Sequence, residues 1–239
     1  GVRGHKIDVE VIGPWLDKLK CMAEDLRNHK HLAHVMARSH LGDSRELNRY
    51  LSPGEVQAVF TSPPYPNEKD YTRTTRLESV LLGFINNKKE LRDLKQQLLR
   101  SNTRNVYVKD DDDVWVNEFP RIQQLANEIE ARRLELGKTS GFERLYGRVT
   151  KLYFGGMARH LDSLKPYLAD GVMLGYVVGD QASYLRVMIK TGELLAEIAE
   201  QMGYQVEAID LFRTRAATAT RVQLREEVVV LKWNRQGCR

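Results

Sequence analysis

The sequence predicts an α/β protein built around a central parallel strand. Residues 172–178, Val-Met-Leu-Gly-Tyr-Val-Val, form a near-continuous apolar run, which is typical of a strand buried on both faces of a sheet. A shorter apolar run at residues 56–60 stops abruptly at Thr61 and Ser62. The longer run ends in Gly179-Asp180-Gln181. Both strands therefore deliver polar loops at their carboxyl ends, which is where open α/β sheets bind ligands.

The bulk composition is compatible with one domain. Hydrophobic residues make up 42% of the 239 residues, which is enough for a sizeable core. No apolar run approaches the roughly 18 residues of a membrane span, so no membrane partner is expected. Cys21 and Cys238 are far apart and have no metal-binding spacing, which favours a reducing, cytoplasmic location. The net charge of +5 permits a nucleic-acid partner but is also common among proteins without one.

The chain is expected to open with a strand and a helix. Residues 6–12 alternate polar and apolar side chains, which predicts a strand. Residues 15–38 place apolar side chains at helical spacing and include His29, His31 and His34. These histidines are accompanied by basic residues and by no carboxylate at ligand spacing. They therefore indicate a polar helix face, and no metal site is predicted.

The loop after the first apolar run combines rigidity, acceptors and an aromatic ring. Thr61 and Ser62 are followed by two prolines and a tyrosine, Pro63, Pro64 and Tyr65. Each proline fixes its φ and has no N–H, so the carbonyls of Ser62 and Pro63 are presented on a loop that cannot easily relax. Tyr65 adds a flat π face. A planar heterocycle with an exocyclic amino group would find here both hydrogen-bond acceptors and a stacking partner.

This loop resembles the catalytic motif of the DNA amino-methyltransferases, which methylate cytosine N4 or adenine N6. Further segments that resemble this family are Asn67, Asp70-Tyr71, Arg76-Leu77-Glu78 and Val177-Val178-Gly179-Asp180. In the family, Ser before the prolines is found mostly in cytosine-N4 enzymes, whereas Asp or Asn is commoner in adenine-N6 enzymes. The resemblance therefore favours cytosine N4, with adenine N6 as the alternative.

The resemblance also implies an architecture and partners. It implies a Rossmann-like methyltransferase sheet with helices on both faces, spanning residues 1–239 as a catalytic domain. A charged, mostly helical insertion is expected at about 85–150, and a β-hairpin at the C-terminus. The implied cofactor is S-adenosyl-L-methionine. The implied partners are double-stranded DNA and a cognate restriction or defence-system component.

The resemblance assigns roles to individual residues. Ser62, Pro63, Pro64 and Tyr65 become catalytic, and Thr61 is placed with the cofactor. In such enzymes an acidic residue after the second strand holds the cofactor's ribose, a role for Asp8 in preference to Glu10; an exposed carboxylate on an edge strand is the alternative for either residue. Asp43, in Leu-Gly-Asp-Ser, resembles the residue that accepts from the cofactor's adenine amino group, and helix N-capping is an alternative or additional role.

One part of the family pattern is missing. The cofactor loop, Asp-Pro-Phe-x-Gly-x-Gly between the first strand and helix, does not occur in this sequence. One expectation is that residues 1–4 follow that loop, so that the chain is a truncated or split form. The other is an atypical mode of cofactor binding.

The middle of the chain is expected to be helical and charged. Residues 77–84 are apolar and predict a helix packed under the catalytic loop. Within the insertion, a long helix is predicted around 121–136, and the acidic run 110–113 is interpreted as a solvated loop. Residues 151–168 predict a helix that leads into a turn at Asp170-Gly171.

The C-terminal part predicts a helix at 191–203, closed by Gly203, and two strands at 205–212 and 227–233. The linker 213–221 between these strands is basic, small and free of acids. Three of its arginines are therefore candidates for DNA phosphate contact, and an ordinary solvated hairpin loop is the alternative. These arginines are Arg213, Arg215 and Arg221.

Two other functions fit the same motif. The acceptor would be RNA or a glutamine side chain in the first, although glutamine enzymes favour Asn at the position of Ser62. In the second, the chain is a non-catalytic DNA-binding fragment or subunit whose partner carries the cofactor loop. Binding of S-adenosylmethionine by the chain alone separates this last function from an autonomous enzyme.

Overall fold

The computed structural model describes residues 9–67, 69–216 and 223–235. The chain divides into two compact units, residues 1–41 and residues 42–239. In the described part of the first unit, residues 9–11 are irregular, helix α1 runs from Ile12–Asn28, and a short 3-10 turn covers Lys30–Leu32. No residue of α1 is buried.

The strand predicted at residues 6–12 is wrong in its described part. Val9 and Val11 lie outside any strand, and helix α1 begins at Ile12. Alternation forms a strand only where a neighbouring strand supplies hydrogen bonds, and Val11 is 69% exposed here. The predicted helix at 15–38 is shorter than expected, because α1 ends at Asn28. Asp8 lies outside the described residues.

The second unit is built on a mixed four-stranded sheet. Its strands are β1 Val56–Thr61, β2 Leu168–Gly179, β3 Gln205–Ala216 and β4 Gln223–Trp233. The strand order is β1-β2-β4-β3. Strand β1 is parallel to β2, while β4 is antiparallel to both β2 and β3. This sheet confirms the predicted α/β class, the central strand at 172–178 and the C-terminal hairpin.

Three helices bury the apolar residues of the second unit. They are α5 Pro120–Glu135, α6 Tyr146–Leu164 and α7 Thr191–Gln201. The helices predicted at 151–168 and 191–203 are thereby confirmed, and Gly203 follows α7 with a φ of 90°. Asp170 and Gly171, predicted as a turn, lie within β2, where the pairing with β1 is irregular.

The charged segment 85–150 is mostly helical, as predicted. It contains α4 Lys88–Gln97, a 3-10 turn at Asp112–Val116, and α5. Part of this segment also belongs to the core, because Val116, Ile122 and Ile129 are at most 1% exposed. These side chains pack in the same apolar cluster as residues of α6.

The interpretation of the acidic run 110–113 as a solvated loop is wrong for two of its aspartates. Asp112 is only 3% exposed and forms ion pairs with Arg45 and Arg159. Asp110 accepts two hydrogen bonds from Arg100, both of 2.8 Å. A buried carboxylate needs such partners. They come from other parts of the chain, so the acidic run does not reveal them.

Two short helices follow the motif loop, α2 Tyr71–Thr74 and α3 Arg76–Leu81. The helix predicted at 77–84 therefore ends three residues early, and Gly83 has a φ of +76°, which reverses the chain. Its apolar side chains are not packed under the loop, because Leu77 is 76% and Leu81 is 81% exposed.

Within the described ranges, no helix is long and apolar enough to cross a membrane. Over the same residues, no group of three or more His, Cys, Asp or Glu side chains is arranged to hold a metal ion.

Candidate active site

The motif loop lies at the carboxyl end of β1, beside the carboxyl end of β2. Thr61 is paired with Tyr176 of β2, three residues before Gly179. The next loop residues bring Tyr65 over that glycine: a Cβ built on Gly179 would lie 3.0 Å from Cε2 of Tyr65. The two polar loops, each predicted at the carboxyl end of a strand, are thus brought together because the two strands are neighbours. Ser62 is exposed in this arrangement, whereas Tyr65 is half-buried.

The loop continues through a tight turn that holds Tyr65. The carbonyl of Tyr65 accepts a hydrogen bond of 2.8 Å from the amide of Asn67. The side chain of Asn67 is buried, and its Oδ1 accepts from the amide of Lys69 at 2.9 Å. This local pairing explains why an asparagine follows the motif, since Asn side chains mimic a backbone turn.

Asp70 fixes the start of helix α2 and joins it to α4. Its Oδ1 accepts from the amide of Thr72 at 3.1 Å, as an N-cap residue does, and its Oδ2 pairs with Nζ of Lys95 at 3.0 Å. Burial by itself would raise the pKa of Asp70, but the bonds from Thr72 and Lys95 outweigh burial and lower it. The ionised carboxylate therefore positions Tyr71, the first residue of α2.

Three tyrosines are electrostatically coupled around the loop. Burial raises the pKa of Tyr153 far above its ordinary value, and Tyr65 and Tyr71 add to the shift. Burial and Tyr65 also raise the pKa of Tyr71. Both hydroxyls therefore stay protonated at neutral pH. The hydroxyl of Tyr153 has no hydrogen-bond partner among the residues that the structure describes.

Residues of the motif loop line two cavities. The first, called here the Ser62 cavity, has a volume of about 350 Å³. Residues from three parts of the chain line it, among them Gly42, Ser44, Ser62, Pro64, Tyr71 and Asn105. None of its lining residues carries a charge. The structure thus brings the Gly-Asp-Ser segment singled out in the sequence next to the motif loop.

The second, called here the Tyr65 cavity, has a volume of about 530 Å³. It is polar and charged, with Tyr65, Asn67, Lys69, Gln181, Arg213 and Glu226 among its lining residues. Ser62 and Pro64 line only the first cavity and Tyr65 only the second. Thr61 and Pro63 line neither.

Asp43 is held in place by an arginine. Its Oδ1 accepts from the amide of Arg45 at 2.9 Å, and its Oδ2 pairs with Nη2 of Arg45 at 2.6 Å. Burial by itself would raise the pKa of Asp43, but the bonds from Arg45 outweigh burial and lower it. The helix N-cap interpretation is wrong, because the next 3-10 turn, Leu47–Arg49, starts after Glu46. The role at the cofactor's adenine stays a prediction.

The segment that carries Asp43 is anchored to the core at two further points. Arg45 bridges Asp43 to the buried Asp112. His160 lies between the carbonyl of Ser44, at 2.8 Å, and the hydroxyl of Tyr176, at 2.9 Å. Burial lowers the pKa of His160, so the ring is neutral and donates through Nδ1–H to Ser44 while Nε2 accepts from Tyr176.

The arginines predicted on an acid-free loop lie on a strand beside an acid. Arg213 and Arg215 are part of β3, and both pair with Glu226 of β4, at 2.5 and 3.2 Å. The prediction that residues 213–221 form a linker is therefore wrong for residues 213–216. Strand β3 continues to Ala216, beyond the apolar residues from which the strand was predicted. Arg213 keeps a 65% exposed side chain. Phosphate contact stays a prediction, and Arg221 lies outside the described residues.

Sequence reasoning did not identify several residues that shape the site. Arg45, Lys95, Asn105, His160 and Glu226 belong to no motif and follow no periodic pattern. The partners of two of them are distant in sequence: Lys95 pairs with Asp70, 25 positions away, and His160 bonds Ser44, 116 positions away. A single sequence carries no signal for such pairings.

No family model matches the chain. The chain is 30% identical over 156 residues to the type II methyltransferase M.AvaI of Nostoc sp., and equally to that of Anabaena variabilis. This match covers 63% of the chain and 31% of either relative, so the chain spans about a third of their length. It is also 42% identical over 55 residues to the type II methyltransferase M.BsoBI of Geobacillus stearothermophilus, which is 23% of the chain and 10% of that relative.

Among solved structures, the chain is similar to a protein of Thermus thermophilus described as a DNA modification methylase. The TM-score is 0.39 at 15% sequence identity, and the match covers 85% of this chain and 55% of that one. Over more than half of its length, this chain is thus similar in sequence to type II methyltransferases.

Proposed function

We propose that the protein is an S-adenosylmethionine-dependent DNA methyltransferase that methylates the exocyclic amino group of a flipped base, with cytosine N4 favoured over adenine N6. One observation carries this proposal: a Ser-Pro-Pro-Tyr loop at a strand's carboxyl end contributes wall residues to two cavities. Methyl transfer needs two sites that meet at one reacting atom. The similarity to type II methyltransferases supports the same assignment.

The Ser62 cavity is the proposed cofactor side. Its volume of about 350 Å³ and its uncharged walls suit the adenosine part of S-adenosylmethionine. Ser44 and Ser62 would flank the cofactor, with Asp43 and Thr61 close by in sequence, and Asp8 is retained for the ribose. When bound, the cofactor supplies an electrophilic methyl group.

The Tyr65 cavity is the proposed base side. The target nitrogen lies inside the duplex, so the base must leave the stack at a cost of roughly a few kcal/mol. Stacking on the ring of Tyr65 recovers part of this cost. Lys69 lines the same cavity, and the exposed Arg213 lies at its edge. Both cations would attract the phosphates next to a flipped nucleotide, and Arg215 and Arg221 are proposed as further phosphate contacts.

The loop's acceptors would prepare the amino group. The lone pair of an exocyclic amine is delocalised into its ring, which makes the nitrogen a poor nucleophile. Hydrogen bonds from this amine to Oγ of Ser62 and to the carbonyl of Pro63 pull the nitrogen towards sp³ geometry and localise the lone pair. They also stabilise the positive charge that develops on the nitrogen. Because Pro63 and Pro64 restrict the loop, these acceptors are preorganised, and catalysis is chiefly positioning and electrostatics.

The methylated base that the protein forms in DNA tests the proposed reaction. DNA methylated by the active protein is digested to nucleosides and analysed by mass spectrometry, with the Ser62→Ala protein as the control. N4-methylcytosine is the expected product, because Ser precedes the prolines. N6-methyladenine alone would overturn the cytosine preference and leave the amino-methyltransferase proposal standing. The absence of both methylated bases, in the presence of a segment or partner that restores cofactor binding, would contradict the proposal itself.

A second candidate function is a DNA-binding fragment or subunit that needs a partner for cofactor binding. The family's Gly-rich cofactor loop does not occur among these 239 residues. In either function the proposed partner is double-stranded DNA in the cytoplasm, together with a cognate restriction component.

A further inference from the structure

A turn with unusual backbone angles lies between β2 and α7. It covers residues 184–187 and is closed by a hydrogen bond of 3.0 Å from the amide of Val187 to the carbonyl of Tyr184. Its two middle residues, Leu185 and Arg186, have φ values of 56° and 66°. Turns with positive φ at both middle positions are ordinarily built from Gly, Asn or Asp, because larger side chains are strained there. Among the residues that the structure describes, no other non-glycine residue has a positive φ.

Buried neighbours impose this strained backbone. The side chain of Tyr184 is fully buried, its hydroxyl donates to the carbonyl of Ser101 at 2.9 Å, and its ring stacks on that of Tyr146 with a centroid distance of 4.7 Å. At the base of the loop, Gln181 and Ile189 exchange two backbone hydrogen bonds, of 3.0 and 2.7 Å. Strained backbone that is held by its surroundings in this way is found mainly at functional sites. The side chain that the turn presents is therefore a candidate for function.

The loop that carries the turn is part of the wall of the Tyr65 cavity. Gln181 and Ser183, which precede the turn at the carboxyl end of β2, both line this cavity. Three of the cavity's lining residues are cations, and one, Glu226, is an acid. This excess of positive charge favours a polyanionic partner on this side of the sheet.

Arg186 adds a further cation to the same loop. The residue is exposed, and its guanidinium has no ion-pair or hydrogen-bond partner among residues 9–67, 69–216 and 223–235. By contrast, Arg213 and Arg215 share the carboxylate of Glu226. A guanidinium offers a planar fork of donors that matches the oxygens of a phosphate. Arg186 is therefore free to bind a phosphate without first breaking an ion pair within the protein.

We propose that the guanidinium of Arg186 binds a backbone phosphate of the double-stranded DNA whose flipped base occupies the Tyr65 cavity. The strained turn fixes where this charge is presented. The contact sets the register of the duplex relative to the cavity, because phosphate contacts position a protein on DNA and carry no sequence information. This inference rests on the proposed function for the identity of the nucleic acid.

The salt dependence of DNA binding tests this contact. The affinity of the 239-residue chain for a fluorescently labelled DNA duplex is measured by anisotropy between about 50 and 200 mM salt. Each phosphate that a cation neutralises adds about 0.9 to the slope of log affinity against log salt concentration. Arg186→Asn should therefore reduce the slope by about 0.9 and lower the affinity at about 0.1 M salt by about eightfold.

Variants separate the charge of Arg186 from the shape of the turn. Asn tolerates positive φ, and Arg186→Gly, which adopts this φ without strain, repeats the measurement if Arg186→Asn does not fold. Arg186→Lys keeps the charge and should keep the wild-type slope. Arg49→Asn is the matched control and should bind DNA as the wild type does. Arg49 is exposed and lines a cavity with Tyr167, the residue before the amino end of β2, whereas the turn follows the carboxyl end of that strand.

The outcomes are distinct. An unchanged slope and affinity in Arg186→Asn would overturn the inference, as would an equal loss in Arg49→Asn, which would indicate an effect of overall charge. No binding of the DNA duplex by the wild type, or an effect of Arg186→Asn on an RNA duplex alone, would also overturn it. Methylation of DNA by a protein whose salt slope does not depend on Arg186 would overturn this inference alone. A slope that depends on Arg186 in a protein that never methylates DNA, even with a partner that restores cofactor binding, would overturn only the proposed function.

Discussion

The ring of Tyr65 packs against the backbone of Gly179, so the motif loop of one strand rests on the end of the next. A Cβ on Gly179 would lie 3.0 Å from Cε2 of that ring and 3.2 Å from Cγ of Glu226, closer than carbon atoms ordinarily approach. The glycine therefore sets the height of the ring above the sheet. This close contact explains why a glycine, rather than a larger residue, follows the apolar run 172–178.

Substituting Gly179 should displace the ring of Tyr65. Gly179→Ala is expected to lower methyl transfer about tenfold, and Gly179→Val more, because a misplaced stacking partner loses orientation. Methylation of DNA by the purified variants measures the effect. Gly141→Ala is the control, since a Cβ at Gly141 meets no atom within 4 Å. Wild-type methylation by Gly179→Val would show that the ring's position is unimportant.

Truncating the motif loop should remove activity and leave the fold intact. Ser62→Ala and Tyr65→Ala are both expected to abolish methyl transfer, because Ser62 is an exposed acceptor and Tyr65 the stacking surface. Tyr65→Phe keeps the ring and should retain most of the activity. Circular dichroism and thermal melting verify folding. Turnover at the wild-type rate by either alanine variant would refute the catalytic assignment.

The isolated 239-residue chain should bind S-adenosylmethionine weakly or not at all in calorimetry. The contacts proposed for Asp8 and Asp43 are side-chain contacts, which seldom hold a small ligand by themselves, because the cost of ordering consumes much of their gain. Affinity should return when a segment or partner that carries a Gly-rich loop is added. Tight binding by the chain alone would point instead to an unrecognised cofactor loop within these residues.

Neighbouring aspartates of the acidic run should differ in their effect on stability. Asp112→Asn is expected to lower the free energy of unfolding by about 3 kcal/mol, because it leaves the buried Arg45 with a lost ion pair. Asp111 is exposed, so Asp111→Asn should change stability by less than about 0.5 kcal/mol. Urea denaturation of both variants provides the comparison. Equal losses of stability in the two variants would contradict the conclusion that Asp112, unlike Asp111, forms a stabilising buried ion pair.

Asp70 should make stability depend on acid pH. Its pKa is lower in the folded protein than the value of about 3.9 expected in the unfolded chain, so its stabilisation is complete above that value. The stabilisation is lost as the pH falls through the lower folded pKa. The wild type should therefore exceed Asp70→Asn by about 3 kcal/mol at pH 7, and the difference should shrink below about pH 4.

Denaturation at a series of pH values measures this difference, with Asp93→Asn, at an exposed position on α4, as the control. A stability difference that stays constant down to pH 3 would contradict the role of the Asp70–Lys95 pair.

The sequence by itself determined the features that depend on local pattern. The apolar run 172–178 predicted a central strand, and β2 lies between β1 and β4. The expectation that this strand is buried on both faces is wrong at Met173, which is 42% exposed. The placement of Ser62 and Gly179 at the carboxyl ends of strands followed from where the two runs stop, whereas the pairing of these two strands came from the structure. The resemblance of the motif loop then favoured a methyltransferase. Each of these inferences concerns residues that are close together in sequence.

Only the tertiary structure decided which polar residues are buried and which residues they pair with. Asp112 and Asp111 are indistinguishable in the sequence, yet only Asp112 meets Arg45, 67 positions away. The apolar residues 77–84 look like a core helix, but the described chain leaves Leu77 and Leu81 exposed. Asn105 shows no pattern at all before it appears on a cavity wall. The physical reason is that periodicity reports the faces of a single segment, whereas ion pairs and cavities arise where distant segments meet.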